Sequence, residues 1–149
     1  ELKPRNPRWD IDVRASFARQ AVMTTLGAQM TDVAPGRVRI EMPFDAAFTQ
    51  QHGFLHAGIV TAGLDSACGF AAMSLMAPGA AVLTAEFKTS LLAPARGARF
   101  AFDAEVIKSG RTLSFAEAKG YALDGGTARL IATLSATLMA VEGRADVQG

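Results

Sequence analysis

The chain of 149 residues carries 15 Lys and Arg against 14 Asp and Glu, a formal net charge of +1, with no basic block suited to nucleic acid or an anionic membrane surface. Half of its residues are hydrophobic and 19% are charged, enough for one buried core and for some surface to be covered by a subunit interface. Cys68 is the only cysteine, which excludes an intrachain disulfide and fits a reducing, cytoplasmic setting.

In chain order, ELKPRNPRWD lacks an apolar signal core, and residues 1–9 read as an extended, loosely held arm. Asp10 or Asp12 is placed to cap a helix in which Val13, Phe17, Ala21 and Met23 to Leu26 recur at near-helical spacing, with Gly27 ending it. Gln29–Ala34 and Arg37–Met42 flank Pro35-Gly36, a strong turn signal. Val38, Ile40 and Met42 alternate with Arg37, Arg39 and Glu41, so this is a hairpin with one wet face. Pro43 breaks the pattern, and Phe44–Leu55 is a loop whose polar cluster Gln50, Gln51 and His52 leads into the next element.

That element, His56–Met76, is an almost unbroken apolar run dominated by small residues and carrying one charge, Asp65. Its length approaches that of a membrane span, but a central Asp is strongly unfavourable there, so the run predicts a buried helix. Burying a lone carboxylate costs several kcal/mol unless something compensates it. Two readings stay open at this point: a structural Asp held by backbone groups or an Arg, and a site carboxylate. Cys68, in the same run, reads as a small core residue.

Pro78-Gly79 ends the helical stretch, and strand-like alternation follows. Its apolar series are Leu83, Ala85, Phe87, Thr89 and Leu91; Phe100, Phe102, Ala104 and Val106; Leu113 and Phe115; and Leu130, Ala132, Leu134, Ala136 and Leu138. Turns fall at Pro94–Gly97, Ser109-Gly110 and Asp124–Gly126, and the polar tail, residues 142–149, is expected to fray. The architecture is a single α+β domain over residues 1–149, one long helix wrapped by a curved antiparallel sheet of about six strands.

At QQHGFLHAGIVTAGLDSACGFAA the chain resembles the hotdog-fold acyl-CoA thioesterases typified by the phenylacetate-degradation (PaaI-like) enzymes. The family's polar residue, its His-Gly-Gly and its acidic residue correspond to Gln50, His56-Ala57-Gly58 and Asp65. TAEFKTSLLAPARG and KSGRTLSFAEA are similar to two further strand and turn segments of the family, and the likeness covers roughly residues 13–141. The resemblance implies hydrolysis of an acyl-CoA without metal or cofactor. It implies that Asp65 activates water or attacks directly, that Gln50 positions water or substrate, and that Thr84 lies at the site edge.

Thioester hydrolysis needs a polarised carbonyl, a nucleophile and a stabilised oxyanion. The free N–H groups of Ala57 and Gly58, at the positive end of a helix, suit the oxyanion. Ala57 stands where the family usually has Gly; a residue at a helix start needs no positive φ, so its N–H remains usable at the cost of a methyl near the acyl carbonyl. His56 either caps or packs at the helix start or takes part in proton transfer. Phe48, Phe54, Leu55 and Leu64 are candidates for an acyl pocket, and Lys88, Arg96 and Arg111 for the Coenzyme A phosphates. One Cys and two His without ligand spacing give no sign of a metal site.

A non-catalytic acyl-CoA binding or sensing module on the same fold is the rival reading, and Asp65 argues against it. A hotdog dehydratase or hydratase would carry a His beside an acidic residue in another arrangement. Helix geometry adds an expectation about partners. Ala57 and Asp65 are separated by about 12 Å along the axis, too far for one thioester carbon to meet both. A two-fold homodimer with antiparallel helices, assembling further as a dimer of dimers, would supply Asp65 from one subunit and the helix N-terminus from the other.

Overall fold

Residues 2–149 are described by a computed structural model, in which the first helical region is two helices rather than one. α1 (Trp9–Arg19) and α2 (Ala21–Thr25) are separated at Gln20, whose backbone is extended at φ −79° and ψ 102°. Neither Asp10 nor Asp12 caps α1. Its N-cap is Arg8, and Asn6 supports the start by accepting from the Arg8 N–H at 2.9 Å and donating to Asp12 at 2.8 Å. Asp10 pairs with Arg14 one turn on, and both acids favour the positive end of the helix. Gly27 ends α2 at φ 68°, a left-handed backbone that suits glycine.

The arm before α1 is pinned rather than loose: Arg5 donates to the carbonyls of Leu75 at 2.9 Å and Gly110 at 3.1 Å. The C-terminal tail also folds back, with the Arg19 guanidinium donating to Gly149.

β1 (Gln29–Ala34) and β2 (Arg37–Pro43) form the predicted hairpin about Pro35-Gly36, with Gly36 at φ 74°. Val38, Ile40 and Met42 are buried, as their alternation requires. A 3₁₀ turn, Ala46–Phe48, capped by Asp45, interrupts the loop that follows. α3 (Ala57–Met73) is the apolar run, and β3 (Ala81–Leu91), β4 (Arg99–Ser109), β5 (Leu113–Asp124) and β6 (Thr127–Val141) complete the chain.

The six strands form one antiparallel sheet in the order β1-β2-β4-β5-β6-β3, and α3 packs across β2 to β6. This is the hotdog arrangement. The small residues of α3 allow it: a Cβ on Gly63 would lie 2.3 Å from the Phe102 ring, and one on Gly120 would lie 3.4 Å from Leu64. Glycine at these two positions lets helix and sheet meet without an intervening side chain. No helix among the described residues is long and apolar enough to cross a membrane.

Three strands face differently from the alternation read in the sequence, two of them, β3 and β6, because a bulge shifts their register. In β3 the pairing with β6 slips between Thr84 and Glu86, leaving Ala85 as the extra residue. Val82 and Thr84 before it, and Phe87, Thr89 and Leu91 after it, therefore share the face towards α3, whereas Leu83 turns outward with its partner Met139. In β6 the register slips at Ile131, which is buried while Leu130 is exposed. In β5, Leu113 and Phe115 face outward at 42% and 43% exposure; Ser114, Ala116, Ala118 and Ala122 face the helix, which leaves room only for small side chains.

Candidate active site

The loop before α3 and the loop after β3 are laced together, and between them lies a groove of about 510 Å³ at the N-terminus of the helix. The Leu55 N–H donates to the Ala95 carbonyl at 3.1 Å, and the His56 N–H to that of Phe48 at 3.0 Å. Gln50 closes the tight turn before the helix: its Oε1 accepts from the backbone of His52 at 2.6 Å and of Phe54 at 3.3 Å. Those bonds orient the amide, and Gln50, His56 and Ala57 line one side of the groove while Leu91, Leu92 and Pro94 line the other. Arg129 was not singled out by sequence; it donates to the carbonyls of Pro94 at 3.2 Å and Arg96 at 3.1 Å and holds the far wall.

His56 is the N-cap of α3. Its backbone is extended and its Nδ1 accepts from the Gly58 N–H at 2.8 Å. The capping alternative for His56 is thus the one realised, and it engages one of the two expected oxyanion donors. The Ala57 N–H has no acceptor among the described residues and remains at the positive end of the helix dipole.

Asp65 lies two turns further along the same helix. Thr84 donates from Oγ1 to its carboxylate at 2.7 Å, an approach made possible by the β3 bulge that keeps Thr84 on the helix side. Burial pushes the Asp65 carboxyl above its ordinary value of 3.8, and the Thr84 hydrogen bond pulls it partly back. Compensation by an Arg or by backbone N–H groups, the structural alternative, is not what surrounds it. Cys68, one turn away, is fully buried; its thiol is pushed up to about 12 by burial and by Asp65 and Glu117, so it is no nucleophile. Thr61 and Thr89 bridge α3 to β3 at 3.2 Å, a contact sequence reasoning missed because threonine in a strand signals nothing by itself.

The catalytic candidates therefore fall into two groups within one subunit. Gln50, His56, Ala57 and Gly58 gather at the helix start, and Asp65 and Thr84 pair about 12 Å further along. Of the acyl-pocket candidates, Phe54 and Leu55 line the groove and Phe48 packs against the core. Leu64 is 0% exposed, held between helix and sheet near Gly120, and does not line the groove. Of the three basic candidates, Arg96 stands at the groove mouth with its guanidinium 4.9 Å above the Phe54 ring. Lys88 pairs with Ser135 on the outer face of the sheet, away from α3. Arg111 follows Gly110, which Arg5 ties to the end of α3 opposite the groove. Neither serves this subunit's groove.

A family model described as the thioesterase superfamily matches residues 52–129, which span the helix start, Asp65, Thr84 and the strands that hold them. A thioesterase family protein from Silicibacter pomeroyi is 61% identical, with 91% of this chain and 99% of that one superposing at a TM-score of 0.89. The PaaI protein from the phenylacetic acid degradation operon of E. coli shares the fold at a TM-score of 0.81 and 17% identity, over 91% of this chain and 95% of that one. Thioesterase HI1161 of Haemophilus influenzae does so at 0.77 and 19%, over 89% and 90%.

Proposed function

The chain belongs to the thioesterase superfamily and is a thioester hydrolase; we propose that its substrate is an acyl-CoA, cleaved to the free acid and CoA in sites shared by two subunits. The observation that carries this reading is the half-buried Asp65, met by the Thr84 hydroxyl but by no cation among the described residues, on the helix whose first free N–H opens into an apolar groove. The Ala57 N–H polarises the thioester carbonyl and holds the oxyanion. Asp65 acts either by taking a proton from an attacking water or by attacking the carbonyl itself; in both cases the thiol leaves with a proton and a water is consumed. Thr84 fixes the carboxylate, and Gln50, through the amide nitrogen its turn leaves free, positions water or the carbonyl. His56 holds the Gly58 N–H, which joins the oxyanion hole if the imidazole turns away. Phe54, Leu55, Leu92 and Pro94 take the pantetheine arm, and Arg96 a phosphate.

The separation of Asp65 from Ala57 is the argument for a homodimer. β3 is an edge strand with one backbone rim unpaired by the sheet, of the kind that pairs with another chain, and Phe87 and Leu91 on it are 49% and 58% exposed. Two copies joined there with antiparallel α3 helices bring Asp65 of each to the helix start of the other, and a dimer of such dimers is the assembly we favour. The reduced Cys68 fits the cytoplasm as the place of action.

The test mixes Gln50→Ala subunits with Asp65→Ala subunits under conditions that exchange partners. Each is nearly inactive alone, and mixed dimers hold one intact site of two, so an equal mixture regains about a quarter of wild-type turnover. Exchange without regained activity places both residues in one subunit's site. Binding of acyl-CoA by the wild type without release of thiol would make it a sensing module instead.

A further inference from the structure

Arg129 stands near the start of β6, paired with Ala122 of β5, whose buried side chain marks the side of the sheet that carries α3. It is thus on the groove side, two residues before Ile131, which lines the groove. The Ile131 carbonyl accepts from the Leu92 N–H at 2.8 Å and the Ala93 N–H at 3.2 Å, fixing the segment after β3 against β6. Arg129 completes that brace through a single nitrogen, its Nη2, which donates to the Pro94 carbonyl at 3.2 Å and to that of Arg96 at 3.1 Å. An arginine carries five N–H donors in a planar fork, so the Nε and Nη1 donors stay free, as does the whole positive charge. Elsewhere on the sheet Arg39 and Arg99 are neutralised by Glu41, and Arg39 by Asp103 as well. Neither Arg129 nor Arg96 forms an ion pair among the described residues. Arg96 is held instead over the Phe54 ring at 4.9 Å. Two guanidiniums without counter-ions are therefore fixed around one short turn at the groove mouth.

Resting on the proposed hydrolysis of an acyl-CoA, we propose that Arg129 is a substrate-binding residue. With Arg96 it takes the phosphate groups at the nucleotide end of Coenzyme A, and so makes the enzyme select CoA esters over thioesters of the bare pantetheine arm. The pantetheine arm is uncharged and suits the apolar groove, whereas the nucleotide end carries several negative charges and needs cations where the groove opens. Guanidinium and phosphate form strong charge-assisted hydrogen bonds. A single exposed cation would contribute little, but two act together here. The carbonyl brace also orients Arg129 beforehand, so less side-chain freedom is lost when the phosphate binds.

The experiment compares kcat/KM for the CoA and pantetheine thioesters of one acyl group, whichever of acetyl, hexanoyl and benzoyl the wild type cleaves fastest. The wild type should favour the CoA ester by about 10²-fold, and by less as salt is added. Arg129→Met should cut that preference about tenfold, chiefly by raising KM for the CoA ester, and Arg129→Lys, which keeps the charge, should retain more of it. Arg129 is exposed, so both variants should fold. If Arg129 serves only to brace the groove wall, both esters suffer equally in Arg129→Met and the preference stays as in wild type, which overturns the proposal. A wild type that cleaves the CoA ester no better than the pantetheine ester overturns it without any variant. A wild type that releases thiol from none of the three CoA esters refutes the acyl-CoA hydrolase reading itself, and the role of Arg129 falls with it.

Discussion

Two faces of α3 are built from one short run of residues and do opposite work. On the face towards the sheet, Gly63, Leu64, Ala67 and Cys68 are fully or nearly fully buried, and the helix lies so close to Phe102 that even a methyl at Gly63 collides. Away from that face, Thr61, Asp65 and Ser66 each reach a polar partner outside the helix, namely Thr89 and Thr84 on β3 and Gln20 between α1 and α2. The packed face gains stability from dispersion and dehydration and tolerates no change of volume. The polar face costs stability, since it holds a carboxylate in surroundings that disfavour its charge. That cost is what the proposed catalytic role of Asp65 would account for, and the contrast between the two faces is how it can be tested.

Asp65→Asn separates the faces most sharply. Turnover should fall on the order of 10²–10⁴-fold, the range for loss of a general base, while acyl-CoA binding and folding persist. Stability should move the other way from the usual effect of a site mutation. The folded-state pKa of Asp65 lies above its unfolded value, so the native state binds more protons and wild-type stability falls as pH rises from 3.8 through the raised value. The Asn variant lacks that loss, and its melting temperature relative to wild type should climb across this window and stay at least equal at neutral pH. A variant that melts well below wild type at neutral pH would mean that Asp65 is structural.

Ala57→Pro comes next, at about 10²-fold in kcat. Proline is well accepted at the first position of a helix, and His56 before it already has the extended backbone that proline demands of its neighbour, φ −60° and ψ 140°. The substitution therefore deletes an N–H with little structural cost, and circular dichroism should be unchanged. A normal rate would remove Ala57 from the oxyanion hole.

The packed face has the inverse signature. Gly63→Ala should destabilise by about 1–3 kcal/mol through overpacking against Phe102, read from the denaturation midpoint, with kcat per folded molecule retained. Lost activity in a protein of undiminished stability would mean that the two faces are not separable.

The sequence made the helix legible because a long apolar run of small residues has one plausible place in a domain this size, and the first hairpin because Pro35-Gly36 sits between alternating strands. The faces of β3 and β6 were not legible: one extra residue at Ala85 or Ile131 inverts every side chain beyond it, and a bulge leaves no mark in an apolar alternation. The outward Leu113 and Phe115 of β5 misled for another reason, since the buried face there is the one with small side chains and ranks lower in hydrophobicity. Asp65 drew notice on physical grounds alone. The parts of Gln50 and Thr84 came from family resemblance, and the capping of Gly58 by His56 depends on a rotamer that composition does not encode.

The smallest effect tests how the polar face sets its own charge. Thr84→Val keeps the β-branched shape that suits a strand and removes the one hydroxyl that donates to Asp65. That bond favours the ionised carboxylate and opposes the upward push of burial, so its loss should raise the Asp65 pKa further. If the ionised form is the reactive one, kcat/KM rises with pH through this pKa, and the midpoint of the rise in the variant should lie above that of wild type. Because the valine leaves the carboxylate itself in place, rates well above both midpoints should approach each other, unlike those of Asp65→Asn. Stability should drop slightly at pH values above the variant's midpoint, where Asp65 is charged and has lost its partner, and recover as the pH falls and the carboxyl protonates. A midpoint that stays put or moves down would show that Thr84 does not tune Asp65, and a rate depressed equally at every pH would assign it to substrate positioning.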